Sequence, residues 1–237
     1  MKAQNKEAKG KLFIGIINTP KNTGYNFISF EVSDYLRFPP PNDGRAYIPL
    51  GEKNLSLPNW GINLGVSAAV YKQFDALLDL QFSFGNSFNC LFLVGSTFNV
   101  LKTNTFSFGP TAKIGFAYSK IDLGNVSVYN ANYVATAEGD FYDGDKIGAT
   151  VFGFAYQLGV TGSCKIMKNL SLFGQFGIGG AYLGLMTIEV TPTEGSQFNI
   201  NLSSKDCVED GTYNHIGFTP KIKSYGYYYN AGVAFSF

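Results

Sequence analysis

In seven stretches between Trp60 and Phe237 the chain alternates, residue by residue, between a large apolar set and a small or polar one. In the closing stretch Tyr225, Tyr227, Tyr229, Ala231, Val233, Phe235 and Phe237 form the first set. Gly226, Tyr228, Asn230, Gly232, Ala234 and Ser236 form the second. A period of two marks a strand whose two faces meet different surroundings. The pattern recurs from Trp60 to Val70, Phe74 to Phe84, Cys90 to Val100, Phe106 to Tyr118, Phe152 to Ile166 and Leu170 to Ile188. Within these cores the charged residues Asp75, Asp79, Lys113, Lys165 and Glu189 all fall on the small or polar set.

That placement decides which face is wet. In a soluble sandwich the polar set faces water and is rich in Lys and Glu. Here it is mostly Gly, Ser, Ala, Thr and Asn, as in a narrow interior that must be filled without bulk. Charged residues make up only 15% of the chain and aromatics 16%, with 28 glycines. No run approaches the length of a transmembrane helix, and strands of about ten residues at a tilt of about 45° match a bilayer's span. The apolar face is therefore expected to meet lipid. A net charge of +1 without a basic cluster argues against nucleic-acid binding.

The connections fit a barrel. Short turns at 71–74, 102–104 and 167–169 alternate with links at 86–89, 119–146 and 191–220. Outer-membrane barrels place short turns in the periplasm and longer loops outside. Seven strands run from Trp60 to Phe237, and Lys11–Ile17 supplies an eighth, which closes the sheet and leaves no free edge. Residues 18–59 then form a long first external loop, whose prolines remove ladder donors. Tyr25–Leu36 alternates in part and is read as belonging to that loop, with Tyr25–Val32 a strand extension above the membrane. The expected fold is an all-β, eight-stranded antiparallel up-and-down transmembrane β-barrel over residues 11–237, after a polar lead-in at 1–10 that lacks a signal-peptide core.

The dyad repeat and the terminal Tyr229-x-Ala231-x-Val233-x-Phe235-x-Phe237 resemble the small eight-stranded outer-membrane barrel families: the OmpA transmembrane domain, OmpX and OmpW. The glycine- and tyrosine-rich style is similar to barrels of the Bacteroidota. The resemblance implies a Gram-negative outer membrane with both termini periplasmic. It also implies contact with outer-membrane lipid and recognition by the barrel-assembly machinery through Tyr229, Val233, Phe235 and Phe237. A larger outer-membrane complex is a further candidate partner.

Three sets of residues are candidates for function. Asp75, Asp79, Gln81, Lys113, Gln157, Lys165 and Gln175 face inward and are expected to form a polar network, either a structural plug or a gate with a narrow ion path. Ile17, Leu91, Leu93, Val151, Leu183 and Leu185 are expected inward near the external strand ends. They line an apolar vestibule for a small hydrophobic molecule, or they are packed by loops folding over the rim. His215, the only histidine, lies near Ser203, Ser204, Asp206 and Asp210 without a spacing that marks a catalytic group.

Cys90 and Cys207, both expected outside, are positioned to pair, while Cys164 faces lipid. No Cys/His cluster suggests a metal, and no cofactor is expected. Trp60 and Tyr118 at one end, and Tyr71, Phe74, Phe106 and Phe237 at the other, fit aromatic girdles. The expected function is non-enzymatic: a largely plugged barrel acting through external loops as a structural, adhesive or complex-partner protein. A narrow porin-like conduit for small or hydrophobic molecules is the alternative.

Overall fold

In the computed structural model the described residues are 10–19, 22–24, 30–33, 45–48, 60–84, 87–129, 133–135, 140–192, 198–201, 207–208 and 222–237. Eight long strands carry the architecture: β1 (Gly10–Asn18), β2 (Trp60–Tyr71), β3 (Phe74–Ser83), β4 (Ser87–Phe98), β5 (Phe106–Asn125), β6 (Lys146–Met167), β7 (Leu170–Thr191) and β8 (Ile222–Ser236). Each pairs antiparallel with its chain neighbour, and β8 pairs with both β7 and β1. The sheet is thus closed, as it must be where no water can satisfy an exposed strand edge.

Closure carries a stagger. The row of paired residues that starts at Phe13 passes through Gly65, Asp79, Leu93, Gly115, Ala155, Ala181 and Ser224. It returns at Thr23, ten residues further along the chain, in a short strand (Asn22–Gly24) that continues β1. Strand number and stagger together fix the tilt and bore. At eight strands the interior is only wide enough for its own side chains. The inward set is accordingly buried and the outward set bare: Leu12, Ile14, Leu64, Leu78, Val94, Ile114, Phe154, Ile178 and Phe235 are all exposed. Pro110 sits just below Thr97–Thr111, the last pair of the β4–β5 ladder, where its missing N–H costs nothing.

At the end of the barrel opposite the short turns, strands and loops depart from the sequence reading. The expected loop at 86–89 is smaller, because Ser87 already belongs to β4. β5, β6 and β7 rise beyond the other strands, and Phe198–Asn201 adds to β7. A separate four-stranded sheet runs in the order Ser127–Tyr129, Arg45–Ile48, Phe30–Ser33, Cys207–Val208. It ties three different long connections together through backbone bonds. Part of Tyr25–Leu36 is therefore a strand of this loop sheet and not a stave of the barrel.

A bulge in β7 is the second departure. Val151 pairs with Met186 and Phe152 with Leu185, but Gly153 pairs with Leu183, leaving Gly184 unpaired. One inserted residue exchanges the two faces beyond it. Leu185, expected inward, falls opposite the outward Phe152. Glu189, expected on the lumen side, instead meets Lys120, an exposed residue two positions beyond the outward Tyr118.

The bare belt gives a direct test. Leu78 lies midway along β3 between outward Val66 and Val94. Leu78→Arg should destabilise the barrel by about 2–4 kcal/mol, read from denaturant unfolding in lipid vesicles by heat-modifiable gel migration. An unchanged midpoint would mean that this face does not meet hydrocarbon.

Candidate functional site in the lumen

Halfway along the lumen, side chains from six strands meet. Lys113 of β5 is ion-paired with Asp79 of β3, both side chains fully buried. The Lys113 ammonium also donates to Gln175 Oε1 of β7 at 2.8 Å and lies 5.9 Å from the ring centre of Tyr228 on β8. Asn230 of β8 donates to Asn63 Oδ1 of β2 at 3.0 Å. Nearer the long-loop end, Gln81 and Gln157 exchange amide bonds across the bore, at 3.1 and 2.9 Å. Small inward neighbours make room for this layer. A Cβ on Gly65 would collide with the Phe13 ring and with Asp79 Oδ1.

A lysine and an aspartate taken fully out of water are tolerable only as a facing pair, since each alone carries a desolvation cost of several kcal/mol. The layer is not fully bonded. Asp79 Oδ1, Tyr228 Oη, Asn63 Nδ2, Asn230 Oδ1 and Ser83 Oγ have no hydrogen-bond partner among the described residues. The arrangement is thus a polar layer across the bore that leaves part of its hydrogen-bonding capacity unused among the described residues.

The seven residues expected in one network do not all meet. Asp79, Lys113 and Gln175 are in direct contact, and Gln81 with Gln157 forms the neighbouring pair. Asp75 belongs to the short-turn end, where it accepts from Asn99 at 2.9 Å and pairs with Lys102 at 3.2 Å. Lys165 is exposed there and outside the network. It has the inward register expected of it, but it lies opposite Ser171 near the end of β6, below the layer. Asn63, Asn230 and Tyr228 join the layer without having been singled out by the alternation. Tyr228 carries a signal, as the one large side chain in the small set of β8.

Of the apolar residues, Ile17, Leu93, Val151 and Leu183 are buried and Leu91 is half-buried; the side chain of Leu185 lies outside the described ones. Leu91, Leu93 and Leu183, with Ala117, Ala155 and Ala181, line a cavity of about 40 Å³ whose polar edge includes Ser83 and Gln157. That space suits a few water molecules and falls well short of a drug-sized ligand. A second cavity of about 50 Å³ lies on the other side of the layer.

Outside the belt, Glu189 accepts from Lys120 and, at 2.7 Å, from Thr150. The bond from Lys120 holds the Glu189 carboxyl below the usual range, and the same bond raises the Lys120 ammonium. Glu189 therefore favours the folded rim above the ordinary carboxylate range, an effect lost as pH falls through its lowered value. Lys120 contributes below its ordinary value and loses that as pH rises through the raised one.

Cys90 and Cys164 carry free thiols, so the Cys90–Cys207 pairing that the sequence left open is not made. His215, Ser203, Ser204, Asp206 and Asp210 lie outside the described residues. Among the described residues no group of three or more His, Cys, Asp or Glu is placed to hold a metal.

Comparison with solved structures places this architecture. The chain is similar to a major outer membrane protein from Thermus thermophilus, with TM-score 0.52 and 11% identity over 96% of this chain and 99% of that one. The outer membrane protease OmpT from Escherichia coli aligns with TM-score 0.45 and 11% identity over 98% of each chain. The outer membrane protein OprG from Pseudomonas aeruginosa aligns with TM-score 0.38 and 9% identity, over 98% of this chain and 97% of that one. No protein-family model matches the sequence. No curated protein matches it either. Closed sheet, bare apolar belt and the first of these likenesses define a transmembrane β-barrel of the outer-membrane type.

The ion pair sets the expected cost of disturbing the layer. Asp79→Ala should destabilise the barrel by about 3–5 kcal/mol, because Lys113 is left buried without its partner. The double change Asp79→Leu/Lys113→Met should cost less than the two single changes summed, as read from urea unfolding in the same vesicles. Strict additivity would show that the two side chains do not act as a pair.

Proposed function

We propose that this protein is a non-enzymatic outer-membrane barrel with a plugged lumen, acting through its long loops as a structural, adhesive or complex-partner protein. The observation that carries this reading is the buried layer of Asp79, Lys113, Gln175, Gln81 and Gln157, which crosses the bore and leaves about 40 and 50 Å³ above and below it. In this reading both termini and the short turns face the periplasm, and the long connections face the medium. The loop sheet supports a role in contact, because backbone pairing between Arg45–Ile48, Ser127–Tyr129, Phe30–Ser33 and Cys207–Val208 gives three loops one shape. Exposed Tyr229 and Phe235 on β8 and Phe237 just after it, with the half-buried Val233, are the side chains offered to the assembly machinery.

The conduit is the second reading, favoured by the polar lining and by the two small cavities that the layer separates. Conductance distinguishes them. In planar bilayers the wild-type barrel should show no steady single-channel openings. Steady openings that vanish on Lys113→Ala or Asp79→Ala would replace the plug by an ion path.

A further inference from the structure

The short-turn end of the barrel is strongly basic. Among the described residues it carries Lys11, Lys72, Lys102, Lys165 and Lys168, against Asp75 as the one side-chain carboxylate. Asp75 is already engaged on both oxygens, by Asn99 and by Lys102. Lys11, half-buried and inward at the register of Ser67, makes no ion pair among the described residues. It stands within electrostatic reach of Lys102 and Lys165 as well as of Asp75. Two like charges and one neutralised acid are poor company for a half-buried ammonium, which normally finds a counter-charge.

The space beside it offers several donors. Lys11, Ser67, Thr97, Ser107 and Ser163 line a cavity of about 50 Å³, as does Asp75, whose two carboxylate oxygens are already taken up by Asn99 and Lys102. Ser107 and Ser163 share one hydrogen bond at 2.8 Å, which leaves one of the two hydroxyl hydrogens free to donate. Gln175 and Phe13 close the cavity toward the plug, so access is from the short-turn side. Positive charge at the mouth of a narrow, low-dielectric funnel concentrates anions, and ammonium with hydroxyl donors is the chemistry of oxyanion recognition.

We propose that the short-turn mouth of the lumen is a binding site for a small oxyanion, a phosphate or carboxylate group held by Lys11 against the Ser107–Ser163 hydroxyls, with the exposed Lys165 adding positive charge at the mouth. The group is supplied either free in solution or as the headgroup of an anionic phospholipid. The site is independent of what the long loops do.

The test uses the full barrel in neutral detergent, with inorganic phosphate and acetate as probes and binding read by titration calorimetry and by 31P line broadening. Heat-modifiable migration confirms that each variant is folded. At about 0.15 M salt, where exposed charges are screened, wild type should bind phosphate saturably, with acetate competing. Lys11→Gln should weaken binding by about tenfold or more and Lys165→Gln by less, while Lys72→Gln and Lys168→Gln on the turns leave it unchanged. In nanodiscs, phosphatidylglycerol that displaces phosphate from wild type identifies the headgroup as the source, and absence of displacement identifies the free ion. No saturable binding by the folded protein, binding that survives Lys11→Gln, or binding that follows Lys72 and Lys168 overturns the site.

Discussion

Everything in this molecule depends on a backbone that has no second solvent. In hydrocarbon a peptide N–H or C=O without a partner costs several kcal/mol, so the ladder must close on itself, and β8 must meet β1. Once eight strands close, the stagger from Phe13 round to Thr23 sets tilt and bore together. The bore then dictates the inward residues. Glycine, serine and alanine fill most of it, and long side chains enter only where facing glycines make room, as Gly65 does for Phe13 and Asp79.

Polarity inside such a bore is a matter of mutual dependence. Lys113 is ion-paired with Asp79, and both are held in place because Gln175, Asn230 and Asn63 bridge the remaining strands. A hydrophobic filling of equal volume would be as stable or more so by the ordinary balance for buried ion pairs. The polar layer instead fixes one arrangement of six strands about a single point. Beyond it the two ends diverge in character. The long-loop side has leucine and alanine beside a polar edge, and the short-turn side has Lys11, Asp75 and several hydroxyls beside Leu77 and Phe173.

Much of this is legible in the alternation. The eighth strand at Lys11–Ile17, the outward belt, the inward Asp79, Lys113, Gln81, Gln157 and Gln175, and the burial of Ile17, Leu93, Val151 and Leu183 all follow from counting in twos. Counting in twos also explains the errors. Gly184 inserts one residue into β7, and from there the count inverts, so alternation puts Glu189 on the wrong face. For Lys165 it gives the right face and the wrong depth, because alternation carries no height. Asn63, Asn230 and Tyr228 belong to the inward set but have no charge to single them out.

The sequence by itself determined that this chain forms a closed, lipid-facing barrel, because face chemistry is written locally, every second residue. Only the tertiary structure decided which inward residues share a height, since that depends on the stagger between strands far apart in the chain. It alone brought Asp79 to Lys113, separated Lys165 from both, gathered a basic rim at one mouth, and joined three distant loops in one sheet at the other.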